Sequence, residues 1–300
     1  MMRILVTGKN GQVDTSLQTL GERLGLEIIR IGRPEIDLAQ PETLETAVRG
    51  ARPDVIISSA AYTAVDKAET EIELAQAVNG DAPGALARTA AELDIPLLHL
   101  STDYVFAGDK DGAYDETDTP APVSIYGRTK LSGEEQIRAA TDNHVILRTA
   151  WVYSPYGNNF VKTMLRLGET RDELSVVADQ YGCPTYAPEI ARALLAIAQQ
   201  VAIDRDPTLR GTFHLTGQGE TNWAEFAEAI FTGAKARGRK PVRVRPIPAS
   251  DYPTPAKRPA NSRLNGDKLD DTYGLRLDPW RESLDDCLDQ LITMTQRASL

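Results

Sequence analysis

Tyr126 and Lys130 stand four residues apart in Tyr126-Gly127-Arg128-Thr129-Lys130. On a helix that spacing stacks both side chains on one face. A phenol is a poor acid near neutrality, with an unperturbed pKa of about 10. An ammonium held beside it favours the phenolate and eases proton transfer. A second chemical group lies upstream in Ser101-Thr102-Asp103-Tyr104, directly after the apolar run Leu97-Leu98-His99-Leu100. Thr102 can hydrogen-bond a substrate oxygen, Tyr126 can supply the proton, and Lys130 can hold a cofactor ribose while stabilising the phenolate. A lone Tyr-x-x-x-Lys is more often a helix-surface pair. Its place downstream of Thr102 and of a glycine turn shifts the reading to chemistry.

That turn opens the chain. Arg3-Ile4-Leu5-Val6-Thr7 reads as a strand, followed by Gly8-Lys9-Asn10-Gly11-Gln12-Val13. Glycines after a first strand let backbone amides and a helix N-terminus approach a pyrophosphate. Gly8, Asn10, Gly11, Gln12 and Val13 are therefore the candidate diphosphate cradle. Asp14 stands where a third small residue would favour close packing; it either turns outward at the first helical turn or weakens phosphate binding by its charge. The second strand ends Ile31-Gly32-Arg33, without the acidic residue that grips the ribose hydroxyls of NAD. Arg33 offers a guanidinium to a ribose phosphate instead, so NADPH is the preferred cofactor and NADH a possible one; a solvated arginine is the bland alternative. Asp37 and Leu38 are placed under the adenine, and Ala60, Ala61 and Tyr62 along the adenosine-to-nicotinamide groove. Asn79 either orients a water or backbone group near Lys130 or is an ordinary helix-surface asparagine.

The elements needed to position these groups alternate along the chain. Strands are expected at about 3–7, 26–31, 55–57, 97–100 and 145–147. Helices fall near 12–24, 41–50, 71–92 and 126–140. Alternation of this kind predicts an α/β fold, a Rossmann-like doubly wound parallel sheet. Later come helices 187–200 and 222–231, with a strand at 211–215. Residues 1–153 are expected to form the dinucleotide-binding domain and to carry the catalytic group. Residues 154–300 form mainly a smaller C-terminal substrate-binding domain, with segments such as 185–200 returning to the first. From Lys235 to Arg263 prolines and basic residues break regular structure. That stretch reads as irregular, either a surface linker or an ordered substrate-side loop bearing Tyr252, Arg258, Asn261 and Arg263.

Composition bounds the alternatives. The 300 residues are 41% hydrophobic and 25% charged, ordinary for a folded soluble protein. A formal net charge of -10 disfavours nucleic acid or an anionic membrane as partner. Two cysteines, Cys183 and Cys287, imply no disulfide framework and fit a reducing, cytoplasmic location. The first residues match neither a signal peptide nor a membrane span.

The ordered set of motifs resembles the extended short-chain dehydrogenase/reductase superfamily and, within it, the dTDP-4-dehydrorhamnose reductase family. Besides the glycine turn and the Tyr126–Lys130 pair, the resemblance is carried by Arg52-Pro53-Asp54-Val55-Ile56 and Ala64-Val65-Asp66-Lys67-Ala68-Glu69. It continues through Ser101-Thr102-Asp103-Tyr104-Val105-Phe106, Arg148-Thr149-Ala150-Trp151-Val152-Tyr153 and Asn158-Asn159-Phe160-Val161-Lys162-Thr163-Met164. Asp179-Gln180-Tyr181-Gly182-Cys183-Pro184-Thr185 and Arg258-Pro259-Ala260-Asn261-Ser262-Arg263-Leu264 complete it, so that nearly the whole chain is covered. The resemblance implies reduction of the 4-keto group of dTDP-4-dehydro-L-rhamnose by a nicotinamide cofactor. It implies Thr102, Tyr126 and Lys130 as the catalytic group, and Val65, Tyr104 and Trp151 beside the sugar. Asn159, Gln180 and Arg263 would serve the nucleotide side. Some family members bridge a dimer through magnesium; the matching positions here are Ser16 and Pro188, which supply no carboxylate. No tightly bound structural magnesium is therefore expected, with Asp14 and Glu189 as possible shifted replacements and a monomer or weak homodimer as the assembly. A nucleotide-sugar dehydratase would carry Asp-Glu after the threonine, whereas Tyr104 follows Asp103 here. An epimerase sharing the same three residues, and a non-catalytic protein such as the regulatory subunit of methionine adenosyltransferase, remain the alternatives.

Overall fold

A computed structural model of the chain describes residues 1–298. Its centre is a six-stranded sheet in which every pairing is parallel. The strands are β1 (Arg3–Thr7), β2 (Glu27–Ile31), β3 (Val55–Ser58), β4 (Leu97–Thr102), β5 (His144–Thr149) and Gly211–His214. Their spatial order is Gly211–His214, β5, β4, β3, β1, β2. β3, β4 and β5 are buried at every position, which is why they read as apolar runs without alternation. Side-chain alternation along β1 still divides the core between two faces. Ile4 and Val6 pack on one side with Leu98, Leu147 and the helix Ala187–Val201, while Leu5 packs on the other with Ile56, Leu86 and Ile146. Strand order reverses at β1, between β2 and β3. Open α/β sheets bind ligands beyond the strand C-termini at such a switch point. The turn after β1, the loop after β3 and Thr102 at the end of β4 all lie on that edge.

Helix α1 (Gln12–Leu24) spans the expected residues. Two other predicted helices are more broken than their periodicity implies. The segment 41–50 opens as a 3-10 turn, Pro41–Thr43, before the helix Leu44–Ala51. The segment 71–92 is Ile72–Gln76, a π-helical turn Ala77–Asp81, and then Ala82–Leu93.

The later residues build a second core around Tyr153, Phe226, Ile230 and Trp280. Reading 235–263 as irregular throughout needs correction. Arg243–Ile247 is a strand, paired in parallel with Glu173–Val177, which the sequence reading also passed over. Pro246 is compatible because it lies in a two-stranded sheet at whose edge a missing N–H leaves no ladder bond broken. The rest of the segment is an ordered loop rather than a linker. Ala256, Pro259, Asn261 and Ser262 are buried, and Asn261–Ser262 pairs with Tyr181–Gly182. Both cysteines are buried and free. Among the described residues, no helix is long and apolar enough to cross a membrane.

Candidate active site

Tyr126 and Lys130 lie in the first two turns of the helix Ile125–Ala140. Ser124 caps it: its Oγ accepts a hydrogen bond from the Gly127 amide at 3.1 Å. A side chain at position 127 would bring Cβ within 2.2 Å of the Tyr104 carbonyl oxygen. Only glycine lets this turn approach the end of β4, and the approach sets the Tyr126 ring edge-on to Tyr104 at 5.5 Å between centroids. Thr102, the last residue of β4, accepts from the Tyr104 amide at 3.2 Å and donates to Asp103 Oδ1 at 2.9 Å. Its hydroxyl also acts on the nearby Tyr126 phenol, easing ionisation of that group. Thr102 and Tyr126 thus face the same spot at the end of β4.

The electrostatics depart from the sequence expectation. Burial raises the Tyr126 phenol well above its ordinary value, and the Thr102 hydrogen bond opposes this only in part. Lys130 does not favour the phenolate here, because its ammonium points elsewhere. Nζ donates to the Leu100 carbonyl at 2.6 Å and lies 3.2 Å from His99 Nε2. Lys130 is 2% exposed. Burial lowers its pKa to about 8, while Glu134 pulls it upward. Glu134 is itself held as a carboxylate by Arg148, with bonds of 2.9 and 2.7 Å, and by the Ser101 hydroxyl at 2.6 Å.

Residues behind the expected trio were missed. His99 links Lys130 to Ser58, its Nδ1 lying 3.0 Å from Ser58 Oγ. Asp103 is buried, and desolvation lifts its carboxyl to about 6 against hydrogen bonds from Ser262 and Thr102. The available signal was a histidine inside an apolar strand and an acid beside Thr102, since buried polar groups need partners.

The glycine turn fits a dinucleotide. Gly8 has φ +111°, a conformation costly for any other residue. Gly32 lies beside it, where a Cβ would stand in ordinary contact with Gly8 and the Lys9 side chain. Thr7 Oγ1 accepts from the Ser59 and Ala60 amides, both at 3.1 Å, which brings Ala60, Ala61 and Tyr62 alongside. Asn10 and Gly11 are exposed on the turn and Val13 is buried beneath it. Arg33 is exposed just past β2; Asp37 caps its own turn by accepting from Ala39 N at 3.0 Å, and Leu38 packs at the core edge near Leu44. Arg30, not singled out earlier, donates to the Lys9 carbonyl at 2.9 Å. Asn79 is not a surface residue; it holds a backbone group next to Thr129, the residue that precedes Lys130. It is 1% exposed, accepts from Tyr62 N at 2.8 Å and donates to Thr129 Oγ1 at 3.2 Å. The π-turn aims it inward, so it ties the Tyr62 loop to the helix bearing Tyr126.

Asp14 does not turn outward either. It is 4% exposed and folded back against Gly8 and Gly11. Glu189 is buried and accepts from Ser283 Oγ at 2.7 Å. Both carboxyls point into the chain, which removes them as shifted ligands for an ion shared with another subunit. Ser16 is buried and donates to Gln12 O at 2.8 Å, and Pro188 stands in the first turn of its helix.

On the other side of Tyr104 lies a cavity of about 1130 Å³, lined by Phe160, Trp223, Gln180, Arg245, Tyr252 and Arg258 among others. Arg258 pairs with Asp66 at 2.8 Å and hydrogen-bonds the Tyr104 phenol. It thereby docks the 252–258 loop beside Val65, in the adjoining short helix Val65–Ala68. Trp151 stacks on Trp223 at 3.5 Å and stays partly exposed. Two nucleotide-side expectations change. Arg263 faces Glu220 at 3.2 Å and lines a separate, smaller cavity; Arg258 is the guanidinium beside Tyr104. Asn159 caps its helix and donates to Gln12 Oε1 at 2.9 Å and Ser154 O at 2.7 Å, so its amide braces the glycine turn against the following loop.

Comparison with known proteins agrees with this geometry. The family model described as RmlD substrate binding domain matches residues 2–293. The chain belongs to this family. Among similar RmlD-family proteins is the dTDP-4-dehydrorhamnose reductase of Sinorhizobium fredii (strain NBRC 101917 / NGR234), 53% identical over 94% of this chain and 95% of that protein. The Escherichia coli (strain K12) dTDP-4-dehydrorhamnose reductase is 41% identical over 98% of this chain and 99% of the relative. The solved dTDP-4-dehydrorhamnose reductase of Bacillus anthracis str. Ames, in complex with NADP, superposes with TM-score 0.90 at 35% identity, covering 97% of this chain and all of that one (100%). A Thermus thermophilus UDP-glucose 4-epimerase superposes with TM-score 0.77 at 22% identity, covering 97% of this chain and 99% of that one. The fold is therefore shared beyond RmlD-family members.

Proposed function

We propose that this RmlD-family chain is a dTDP-4-dehydrorhamnose reductase that uses NADPH to reduce the 4-keto group of dTDP-4-dehydro-L-rhamnose, giving dTDP-L-rhamnose. The observation that carries the reading is Tyr126 held against Thr102 at the C-terminal edge of the sheet, with the glycine turn on the same edge. When bound, the cofactor supplies the hydride. Tyr126 donates the proton to the ketone oxygen. Burial keeps its phenol protonated at working pH, which is the form a reduction consumes. Thr102 offers its hydroxyl to the same oxygen, and two preorganised donors in a water-poor site stabilise the developing alkoxide. Lys130, which donates to the Leu100 carbonyl, would hold the ribose of a bound cofactor. Residues 1–153 bind the cofactor and carry this chemistry; residues 154–300 bind mainly the sugar nucleotide, with 185–200 returning to the sheet. Val65, Tyr104 and Trp151 border the sugar, while Gln180 and Arg258 face the nucleotide. A soluble, cytoplasmic monomer or weak homodimer is the working form.

The test is direct. The purified protein is mixed with NADPH and dTDP-4-dehydro-L-rhamnose, and nicotinamide absorbance and sugar product are followed together. Stoichiometric loss of NADPH with appearance of dTDP-L-rhamnose is expected. Turnover without net NADPH consumption would instead identify an epimerase, and cofactor binding without turnover a regulatory protein. Cofactor choice rests on Arg33, free in solvent beyond β2. Arg33→Ala is expected to weaken NADPH more than NADH, by about 1.5–3 kcal/mol for a charge-assisted hydrogen bond. Equal dissociation constants for NADPH in both proteins would remove Arg33 from that role.

A further inference from the structure

Asp14 is the third position of the glycine turn, and its burial has a consequence for the dinucleotide site proposed above, on which this inference rests. The carboxyl is folded back over the turn. A Cβ at Gly11 would lie 2.3 Å from Asp14 Oδ1, and one at Gly8 would lie 3.4 Å from it. The carboxylate therefore fills space that the two absent side chains leave, and such glycines admit a pyrophosphate to the backbone. The nearby amides of Gly11 and of Asp14 itself favour the carboxylate, opposing the effect of burial in part. These amides begin helix α1, whose N-terminus attracts anions. The other oxygen, Oδ2, is buried without a hydrogen-bond partner among the described residues. A carboxylate left this way retains much of its desolvation cost.

The surroundings do little to neutralise it. Arg30, from β2, is the cation that acts on Asp14, and its charge offsets the burial of the carboxyl only in part while one N–H donates to the Lys9 carbonyl. Lys9 is paired with Glu35 at 2.5 Å. From the β3 side come Ser59 and Ala60, which are uncharged. The helix Ala187–Val201, packed on α1, brings Glu189, held by Ser283, and Arg192, paired with Asp278 at 3.4 Å. Burial already raises the Asp14 pKa above its ordinary value. A dianionic diphosphate brought against the same turn adds like charge at short range and low dielectric, where repulsion is strongest.

We infer that Asp14 is an internal anion at the diphosphate seat and that dinucleotide binding takes up a proton at this carboxyl. The balance is up to one proton from solvent onto the Asp14 carboxylate for each cofactor bound, at pH values between the Asp14 pKa of the free protein and the higher one of the complex. Affinity is then highest in acid. It falls as pH rises through the Asp14 pKa of the free protein, by at most tenfold per pH unit. A protonated carboxyl keeps one oxygen as acceptor for the amides and turns its O–H toward the diphosphate.

The experiment is calorimetric titration of NADP⁺ and NAD⁺ into the full-length protein between about pH 5.5 and 8.5. Measurements are repeated in two buffers of different ionisation enthalpy. NAD⁺ is included because it lacks the 2′-phosphate, which titrates near pH 6 like other phosphomonoesters. The wild-type protein is expected to weaken with rising pH for both ligands and to show buffer-dependent heat equal to uptake of up to one proton. Asp14→Asn keeps the acceptor oxygen and removes the charge. It is expected to bind about tenfold or more tightly than wild type at the alkaline end, to match it at the acid end, and to lose the proton-linked heat. Identical affinity and slope in the two proteins would overturn the inference. Should the variant fail to fold, buffer-independent heat for NAD⁺ binding to the wild type would overturn it equally. Failure of both dinucleotides to bind any form of the protein would instead refute the proposed function.

Discussion

At the residue scale, the site works through desolvation more than through a cation beside the phenol. In the proposed reaction Tyr126 is the donor; burial raises its phenol above the ordinary value, and Thr102 opposes this only in part. Tyr126→Phe keeps the ring against Tyr104 and removes only the hydroxyl. Turnover is expected to fall by roughly 10²–10⁴-fold, the scale of a placed acid–base group, with the NADPH dissociation constant nearly unchanged. Near-normal turnover in the folded variant would assign the proton to another group. Lys130 sets the alkaline limb. Its lowered pKa of about 8 means that the ammonium is present below that pH and is lost as pH rises through it. At saturating NADPH, kcat/KM for the sugar is expected to decline above about pH 8; a profile flat to pH 10 would mean that the charge of Lys130 is not needed. The Tyr-x-x-x-Lys spacing was legible in the sequence because helical geometry is local. The direction of Lys130 was not, since it depends on the Leu100 carbonyl and His99 from a strand about thirty residues away.

At the element scale, the helix Ile125–Ala140 and the end of β4 act as one part, and Gly127 is the joint. Replacing a helical glycine by alanine ordinarily stabilises a protein by roughly 0.4–1 kcal/mol. Gly50, in the helix Leu44–Ala51, meets nothing within 4 Å of its would-be Cβ and is expected to follow that rule. Gly127→Ala is expected to do the reverse. Its Cβ meets a backbone carbonyl at 2.2 Å, and overpacking of this kind costs about 1–3 kcal/mol. The displaced helix should also carry Tyr126 away from Thr102 and lower turnover. Thermal unfolding of both variants decides the point: a stabilised, fully active Gly127→Ala would show that the two elements need not touch. Periodicity alone located this helix, yet it joined 71–92 into one uninterrupted element. The π-turn Ala77–Asp81 escaped notice because its purpose is tertiary: it directs Asn79 to the Tyr62 backbone.

At the scale of the whole molecule, charge is distributed against its sum. The chain is net -10, yet Arg171, Arg245, Lys257 and Arg258 outnumber Glu173 and Asp251 along the large cavity, a local balance that suits the anionic sugar nucleotide of the proposed reaction. Assembly follows from where carboxylates point. With Ser16 and Pro188 lacking ligands and with Asp14 and Glu189 turned inward, EDTA is expected to change neither the mass in solution nor the initial rate. A dimer lost on chelation and restored specifically by magnesium would contradict this. The sequence by itself determined the α/β alternation, five of the six parallel strands, the glycine turn and the candidacy of Thr102, Tyr126 and Lys130, because each is written in residues close along the chain or in a strand's uniform burial; that Gly211–His214 returns to the sheet beside β5 was not legible. Tertiary structure alone decided that Arg258 rather than Arg263 reaches Tyr104, that Asn159 braces Gln12, that Arg243–Ile247 joins Glu173–Val177, and that Asp14 lies under the turn. Those outcomes depend on which distant segments meet and on how much water they exclude, and neither quantity has a local signature.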